Sequence, residues 1–408
     1  VSSGDIATTV RVLATVDAGD GQTVATASDL LTVTTGLPDQ NSISLSVTGG
    51  FVVENGMVQD GVVRTLNVAM ADKFNNPVVD GTGAVFTTEY GAIVGSCTTV
   101  AGRCSVEWRS QQPRFPTLTG TAYVRTIFDD PEYDCSEFHI EDFGPCPADL
   151  GYVNGGRSTI LVHAIGEESF IDSNGNGIMD EEEKDLFQNL PEAFIDQNED
   201  TVYTPAIPAC SADPNGSLQC IAGQEEIFID FNDNQVYDFN DDPAVYNGLL
   251  CPPAGNGVWC SRDLVNVRDQ QVVILADPDY SIILVRNKRI VTDTIHGQTQ
   301  FAYISDIYNN RPPAGSTVSV AVDGDCELKS TASFIVPNSA EVGAYSIEVE
   351  TGPPDEPSDP PDPGTLKITL TPTGGPAVSE TFDCDTSGPV DPCVDFSPAD
   401  GICDDEQD

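Results

Sequence analysis

Leu66-Asn-Val-Ala-Met-Ala-Asp-Lys-Phe-Asn-Asn76 is written again, in altered spelling, as Gln300-Phe-Ala-Tyr-Ile-Ser-Asp-Ile-Tyr-Asn-Asn310. In each, a strand pattern stops at an aspartate, passes an aromatic residue, turns over Asn-Asn and reaches a proline. Each is followed by a Gly-containing turn and a further strand pattern, at 83–88 and at 317–322. Outward from the first copy, strands are expected at 42–47, 61–71, 105–110, 119–128 and 158–165, and strand patterning resumes at 272–275 and 280–285. Outward from the second they are expected at 333–336, 345–349 and 365–370. Short strands parted by Gly, Asn and Pro turns, without a long helix, read as all-β sandwiches built from a domain-type repeat.

The same reading divides the chain. Residues 9–16 and 30–34 pair as a hairpin around a turn at 17–21, and two strands alone are barely stable in water. Residues 1–36 are therefore expected to belong to a preceding domain or to a partner reached by strand addition. The chain opens without Met, which suits a processed or excised segment. A first domain is expected over 41–286 with an acidic insertion at about 167–265. A second is expected over 287–387, including a Pro- and Asp-rich segment at 352–364, and an acidic tail over 388–408.

Lys and Arg number 17 against 65 Asp and Glu, a formal net charge of -48. Nucleic acid and anionic membrane surfaces are poor partners on electrostatic grounds, no nucleic-acid partner is expected, and divalent cations or basic partners are favoured. No run approaches the length of a membrane-spanning segment. The 12 cysteines fall mostly as close neighbours: Cys97/Cys104, Cys135/Cys146, Cys210/Cys220, Cys251/Cys260 and Cys393/Cys403, leaving Cys326 and Cys384 for each other. Zinc would ask for tighter spacing, so disulfides and an oxidising compartment are expected, although spacing does not prove connectivity.

The charge concentrates between Glu167 and Asp242, where 20 Asp and Glu meet a single Lys184. One phrase occurs there three times: Glu168-Ser-Phe-Ile-Asp172, Glu192-Ala-Phe-Ile-Asp196 and Glu226-Ile-Phe-Ile-Asp230. After the first, Asp172, Asn174, Asn176, Gly177, Asp180 and Glu183 fall on positions 1, 3, 5, 6, 9 and 12 of an EF-hand-type calcium (Ca2+) loop, with the Ile178 carbonyl at position 7. The third copy keeps the spacing with Asp230, Asn232, Asn234, the Val236 carbonyl, Asp238 and Asp241, but has Gln235 in place of the glycine. The second, with Asp196, Asn198 and Asp200, has no later acid in register and is expected to be half a site or to borrow ligands. Glu168, Glu192 and Glu226 recur four residues ahead of each first aspartate, as caps, cross-links or further ligands. Solvated acidic turns are the plainer alternative. The strand pattern before Asp172 and a short helix expected over 181–190, with Leu186, Phe187 and Leu190 on one face, suit a structural clip; a sensor needs a reorienting helix pair.

The run from Asp72 to Phe86, continued by Gly102-Arg-Cys-Ser-Val-Glu-Trp108, resembles bacterial Ig-like domains of the invasin/intimin type. Gly166 to Gly177 resembles an insertion found in large surface-exposed Ig-like repeat proteins of Gram-negative bacteria. The resemblance covers 42–285 well and 288–350 more weakly. It implies tandem immunoglobulin-like β-sandwiches with a disulfide- and calcium-stapled acidic insertion, on the outer cell surface, acting as stalk or adhesin segment. Implied partners are neighbouring Ig-like domains or identical subunits, and a host or cell-surface protein or glycan. The alternatives are an adhesin tip that uses the acidic insertion, expected to stay monomeric, and a filament subunit whose polymers vanish when 1–36 are deleted.

Catalytic signatures are missing from the sequence. His139, His163 and His296 are scattered, and neither a metalloprotease pair nor a nucleophile elbow nor a phosphate cradle occurs. Each strong carboxylate cluster fits calcium spacing better than a glycosidase pair. Trp108 and Trp259 are expected in the core or packed on disulfides, with an exposed contact residue as the alternative for Trp259.

Overall fold

The computed structural model describes residues 8–29, 31–33, 35–112, 114, 155–197, 199, 201–205, 211–212, 218–219, 225–239, 244–286, 289–291, 294–297, 299–306, 308–354 and 362–385. The expected strand at 119–128, the pairs Cys135/Cys146, Cys210/Cys220 and Cys393/Cys403, the tail 388–408, and His139, Asn198, Asp200 and Asp241 lie outside them.

The chain opens as a ribbon of β1 (Thr8–Val10), β2 (Leu13–Asp17), β3 (Thr23–Ala27) and β4 (Leu31–Val33), in which β1 pairs with β4 and β2 with β3. The hairpin is longer than its two expected strands, because the returning arm already begins at Thr23. Next come β5 (Ile43–Thr48), β6 (Val52–Val53), β7 (Val63–Met70), β8 (Gly83–Thr88), β9 (Ala92–Ile93), β10 (Ser96–Thr98), β11 (Arg103–Arg109) and β12 (Arg157–Gly166). Six short strands follow: β13 (Ala193–Phe194), β14 (Ser211–Ala212), β15 (Leu218–Gln219), β16 (Phe228–Ile229), β17 (Tyr246–Asn247) and β18 (Cys260–Ser261). Then β19 (Val265–Leu275) returns to the first unit. The second unit holds β20 (Tyr280–Arg286), β21 (Arg289–Ile290), β22 (Thr299–Asp306), β23 (Thr317–Val322) and β24 (Glu327–Leu328), then β25 (Ser333–Ile335), β26 (Tyr345–Gly352), β27 (Gly364–Thr371) and β28 (Val378–Cys384).

In the first unit, a sheet ordered β10-β8-β12-β19-β6 faces one ordered β5-β7-β11-β9. Inward-facing residues of both, among them Leu66, Val68, Val106, Trp108, Ile160, Val162, Val267 and Val273, form one core. The alternation β11 shows, buried only at every second residue from Val106, is what a strand with one wet face requires. Trp108 is fully buried, its indole N–H donating to the Tyr90 carbonyl at 2.9 Å. Gly91, at φ +79°, lies under that ring, where a Cβ would come within 2.6 Å.

The second unit repeats the connectivity. Sheets β21-β20-β22-β26-β24 and β25-β23-β27-β28 enclose a core with Leu284, Ile304, Val318, Val349 and Ile368. In chain order β5, β7, β8, β9, β10, β11, β12 and β19 have counterparts in β20, β22, β23, β24, β25, β26, β27 and β28, neighbour for neighbour. Tyr280–Arg286, grouped with the first domain on sequence, is hydrogen-bonded into this second unit through β22, so the crossover lies between Leu275 and Tyr280. The twin turns that opened the sequence reading also match. Asp72 Oδ1 accepts from the N–H of Phe74 at 2.9 Å and Asn76 at 2.8 Å. Asp306 Oδ1 accepts from those of Tyr308 and Asn310, both at 2.9 Å, and Asn75 and Asn309 take left-handed φ of +61° and +63°. Disulfides join Cys97 to Cys104, Cys251 to Cys260 and Cys326 to Cys384.

The connection between the last two strands differs in length between the units. β12 and β19 form an antiparallel ladder from Arg157↔Ile274 to Gly166↔Val265, and residues 167–264 are the loop of that hairpin. The counterpart ladder of β27 and β28 is closed by residues 372–377 alone.

Candidate metal centre

The insertion leaves β12 at Gly166 and builds its own small cores. Phe170, Met179, Tyr246 and Leu250 pack around Cys251–Cys260, with Phe74 and Trp259 at the rim. Phe194, Tyr203 and Tyr237 form a second cluster, with Phe228 against it. The residue seven positions after each first aspartate, Met179, Tyr203 or Tyr237, is buried in these cores and pins the loop from below.

All three loops share one backbone scheme. Asp172 Oδ2 accepts from the N–H of Gly177 at 2.9 Å, Asp196 Oδ2 from Thr201 at 2.8 Å and Asp230 Oδ2 from Gln235 at 2.7 Å. In each loop the fourth and sixth residues are left-handed: Gly175 and Gly177 at φ +74° and +78°, Glu199 and Thr201 at +60° and +67°, Asp233 and Gln235 at +60° and +64°. A glycine is therefore dispensable at the sixth position, contrary to the weight the sequence reading gave it. Asn174 Oδ1 accepts from Asn176 N–H at 3.0 Å and Asn176 Oδ1 from Ile178 at 2.9 Å. Asn232 and Asn234 repeat this toward Asn234 and Val236 at 3.1 and 2.7 Å. The amide N–H groups of Asn174 and Asn176 converge on Asp180 Oδ2 at 2.7 and 2.6 Å, and those of Asn232 and Asn234 converge on Asp238 Oδ2.

The helix expected over 181–190 is a single 3-10 turn, Glu181–Glu183. Glu183 folds back, its Oε1 accepting from Ser173 N–H at 2.6 Å and its Oε2 from Asp180 N–H at 3.2 Å. Leu186 then gives its carbonyl to Ile171 N–H and Phe187 bridges to Phe170, so the chain beyond is committed to extended pairing.

The recurring glutamates are buried and bound to main chain. Glu192 accepts from Phe231 N–H at 2.7 Å and Asp238 N–H at 3.3 Å. Glu226 accepts from Gln197 N–H at 2.8 Å and Thr204 N–H at 2.9 Å. These amides occupy the second and ninth places of their loops, which in the first loop belong to Glu183. The Asp196 and Asp230 loops thus receive from each other what the Asp172 loop takes from its own following residues. Glu168 differs: it accepts from Leu190 N–H at 2.8 Å and Asn247 N–H at 2.7 Å, tying the first loop to β17. Burial pushes the Glu168 carboxyl up to about 7, against the pull of those N–H donors.

Sequence reasoning missed Arg157. From the first residue of β12 it reaches Glu199 in the second loop with Nε at 2.5 Å and Nη2 at 2.8 Å, and Nη2 also donates to the Ala340 carbonyl of the second unit. Among the described residues no Lys or Arg pairs with Asp172, Asp180, Glu183, Asp230 or Asp238. Nor do three His, Cys, Asp or Glu side chains converge among them as a metal-holding group. The remaining donors in these loops are Asn oxygens and main-chain carbonyls, and an all-oxygen set of that kind suits a hard cation such as calcium. His163 Nδ1 lies 3.3 Å from Asn266 Oδ1 and His296 Nδ1 lies 2.8 Å from the Asp385 carbonyl.

No protein-family model matches the chain, and no curated protein matches it. Among solved structures it is similar to the Yersinia pseudotuberculosis adhesin InvE, at 8% identity over 86% of this chain and 60% of that one, with a TM-score of 0.21. It is similar to the D0-D1 domain of intimin, at 8% identity over 84% and 97%, with a TM-score of 0.19. Invasin, described as a bacterial integrin-binding protein, gives 11% identity over 92% and 65%, with a TM-score of 0.18. The chain thus spans about 60% of the length of the InvE structure. Likeness this loose assigns neither topology nor function.

Proposed function

We propose that the chain is an extracellular module of a bacterial surface protein, a stalk or adhesin segment whose insertion is organised by calcium. The observation that carries this reading is the one hydrogen-bond scheme shared by three acidic loops whose sequences differ at the sixth position. In that reading Asp172, Asn174, Asn176, the Ile178 carbonyl, Asp180 and Glu183 hold one ion. Asp230, Asn232, Asn234, the Val236 carbonyl and Asp238 hold a second, and Asp196 contributes to a third. A bound cation supplies the positive charge that relieves repulsion between carboxylates. The chain's own contribution is to gather the loop oxygens by backbone turns and to brace the loops with the buried Met179, Tyr203 and Tyr237. Support for the extracellular setting comes from the disulfides, which persist in oxidising compartments. Among the described residues no helix is long and apolar enough to cross a membrane.

Calcium titrated into chelator-stripped protein tests the reading, with thermal unfolding followed optically and ions counted by native mass spectrometry. The expected result is about two or three bound ions and a raised unfolding midpoint, since binding only the folded form adds roughly 2.7 kcal/mol per site at a hundredfold excess over Kd. Zero bound ions and a midpoint indifferent to chelator would discard it.

A further inference from the structure

A shift of 34 positions takes Glu192 to Glu226, Phe194 to Phe228, Asp196 to Asp230 and Tyr203 to Tyr237. In space the same residues are related by a local two-fold. Phe194 pairs with Phe228, its own counterpart, where β13 runs antiparallel to β16. Tyr203 stacks on Tyr237, its counterpart, with ring centroids 3.8 Å apart and planes at 10°. Phe194 meets Tyr237 edge-on at 5.9 Å, and Phe228 meets Tyr203 in the same way at 5.8 Å. The main chain follows suit: Glu192 N–H donates to the Asp238 carbonyl and Glu226 N–H to the Thr204 carbonyl, both at 3.0 Å. The carboxylate exchange obeys the same operation, because Phe231 and Asp238 are the counterparts of Gln197 and Thr204.

We propose that the Asp196 and Asp230 loops are one cooperative unit, in which each loop is closed by the other's glutamate and neither is ordered alone. The Asp172 loop, closed by its own Glu183, stands outside the pair. Replacing the Glu192 carboxylate by an amide leaves one of the two main-chain donors of the Asp230 loop facing an NH2 group in place of its acceptor. The loosened loop withdraws Tyr237 from Tyr203, and with it the floor of the Asp196 loop. On the calcium reading, on which this corollary rests, the pair fills with both its ions or with none.

Hydrogen exchange read by mass spectrometry on the full chain in EDTA tests the pairing without calcium. Glu192→Gln is expected to speed exchange at least tenfold over both 197–204 and 231–238, and Glu226→Gln to do the same, while 173–180 keep wild-type rates. Glu183→Gln is expected to affect 173–180 alone, and the double variant Glu192→Gln/Glu226→Gln to add little to either single one. Protection along β12 and β19 reports that the first unit is folded. Should a Gln variant lose it, Tyr237→Leu, which keeps all carboxylates, is expected to open both loops together. Opening confined to one loop, multiplicative effects in the double variant, or free exchange of both loops in wild-type protein would each overturn the pairing. The same variants in calcium, by native mass spectrometry, are expected to lose both ions of the pair and keep that of the Asp172 loop. A wild-type protein that binds no ion would end the calcium reading and leave the exchange result in EDTA to decide the pairing.

Discussion

Gln235 holds φ at +64° where Gly177 holds +78°. A left-handed L-residue costs roughly 1–2 kcal/mol, and glycine gives back roughly 0.5–1 kcal/mol of that in chain entropy. Gln235→Gly is therefore expected to stabilise the third loop by about 0.5–1 kcal/mol, read as a raised denaturation midpoint in EDTA. A lowered midpoint would show that the Gln235 side chain holds the turn. The strain is tolerated because Asp230 Oδ2 accepts the Gln235 N–H at 2.7 Å, a local hydrogen bond that fixes the turn whatever residue occupies it. This explains what was legible at this scale. The alternating oxygens of Asp172, Asn174 and Asn176 announce the loop, and the recurring glutamates announce a role. The destination of Glu192, a loop some 40 residues further on at Phe231, is set by tertiary pairing and has no local signal.

β12 shows how an element carries two messages. Ile160, Leu161 and Val162 are all fully buried, although a strand with one wet face should expose the middle one. Ile160 and Val162 enter the core between the sheets, whereas Leu161 is covered from outside by Ala193 and Ile195. The strand itself was readable from its β-branched run; that its outer face is roofed by residues more than 30 positions away was not. The helix expected over 181–190 failed for a related reason, since Phe187 and the Leu186 carbonyl are taken by Phe170 and Ile171 before a helix can use them. Replacing residues 167–264 by the sequence of 372–377 is expected to preserve the β12–β19 ladder but to strip the cover from Leu161. Such a chain should self-associate in light scattering, and Leu161→Thr should return it to a monomer with a single cooperative unfolding transition. A grafted chain without β-sheet by circular dichroism would show that the insertion is needed to form the ladder.

Across the molecule, two units share a strand order while their stabilising devices differ. The second unit is closed by Cys326–Cys384, a separation of 58 residues. Loop-closure entropy puts the contribution of such a crosslink at about 4 kcal/mol. Cys326→Ser/Cys384→Ser is expected to lower the unfolding temperature of the second unit and to leave that of the first unchanged in scanning calorimetry. Equal shifts of both would mean that the units unfold as one. The first unit instead hangs its insertion from the end of a ten-residue ladder, Arg157↔Ile274 to Gly166↔Val265. Tension applied to the chain ends passes through the two-sheet units, and the insertion stays slack behind the ladder. When β12 peels from β19, residues 167–264 are paid out at about 3.4 Å each, roughly 300 Å after the Cys251–Cys260 staple is subtracted. The hairpin is in that sense a coiled tether, able to lengthen the chain by many times the thickness of one unit while the Cys326–Cys384 unit still holds.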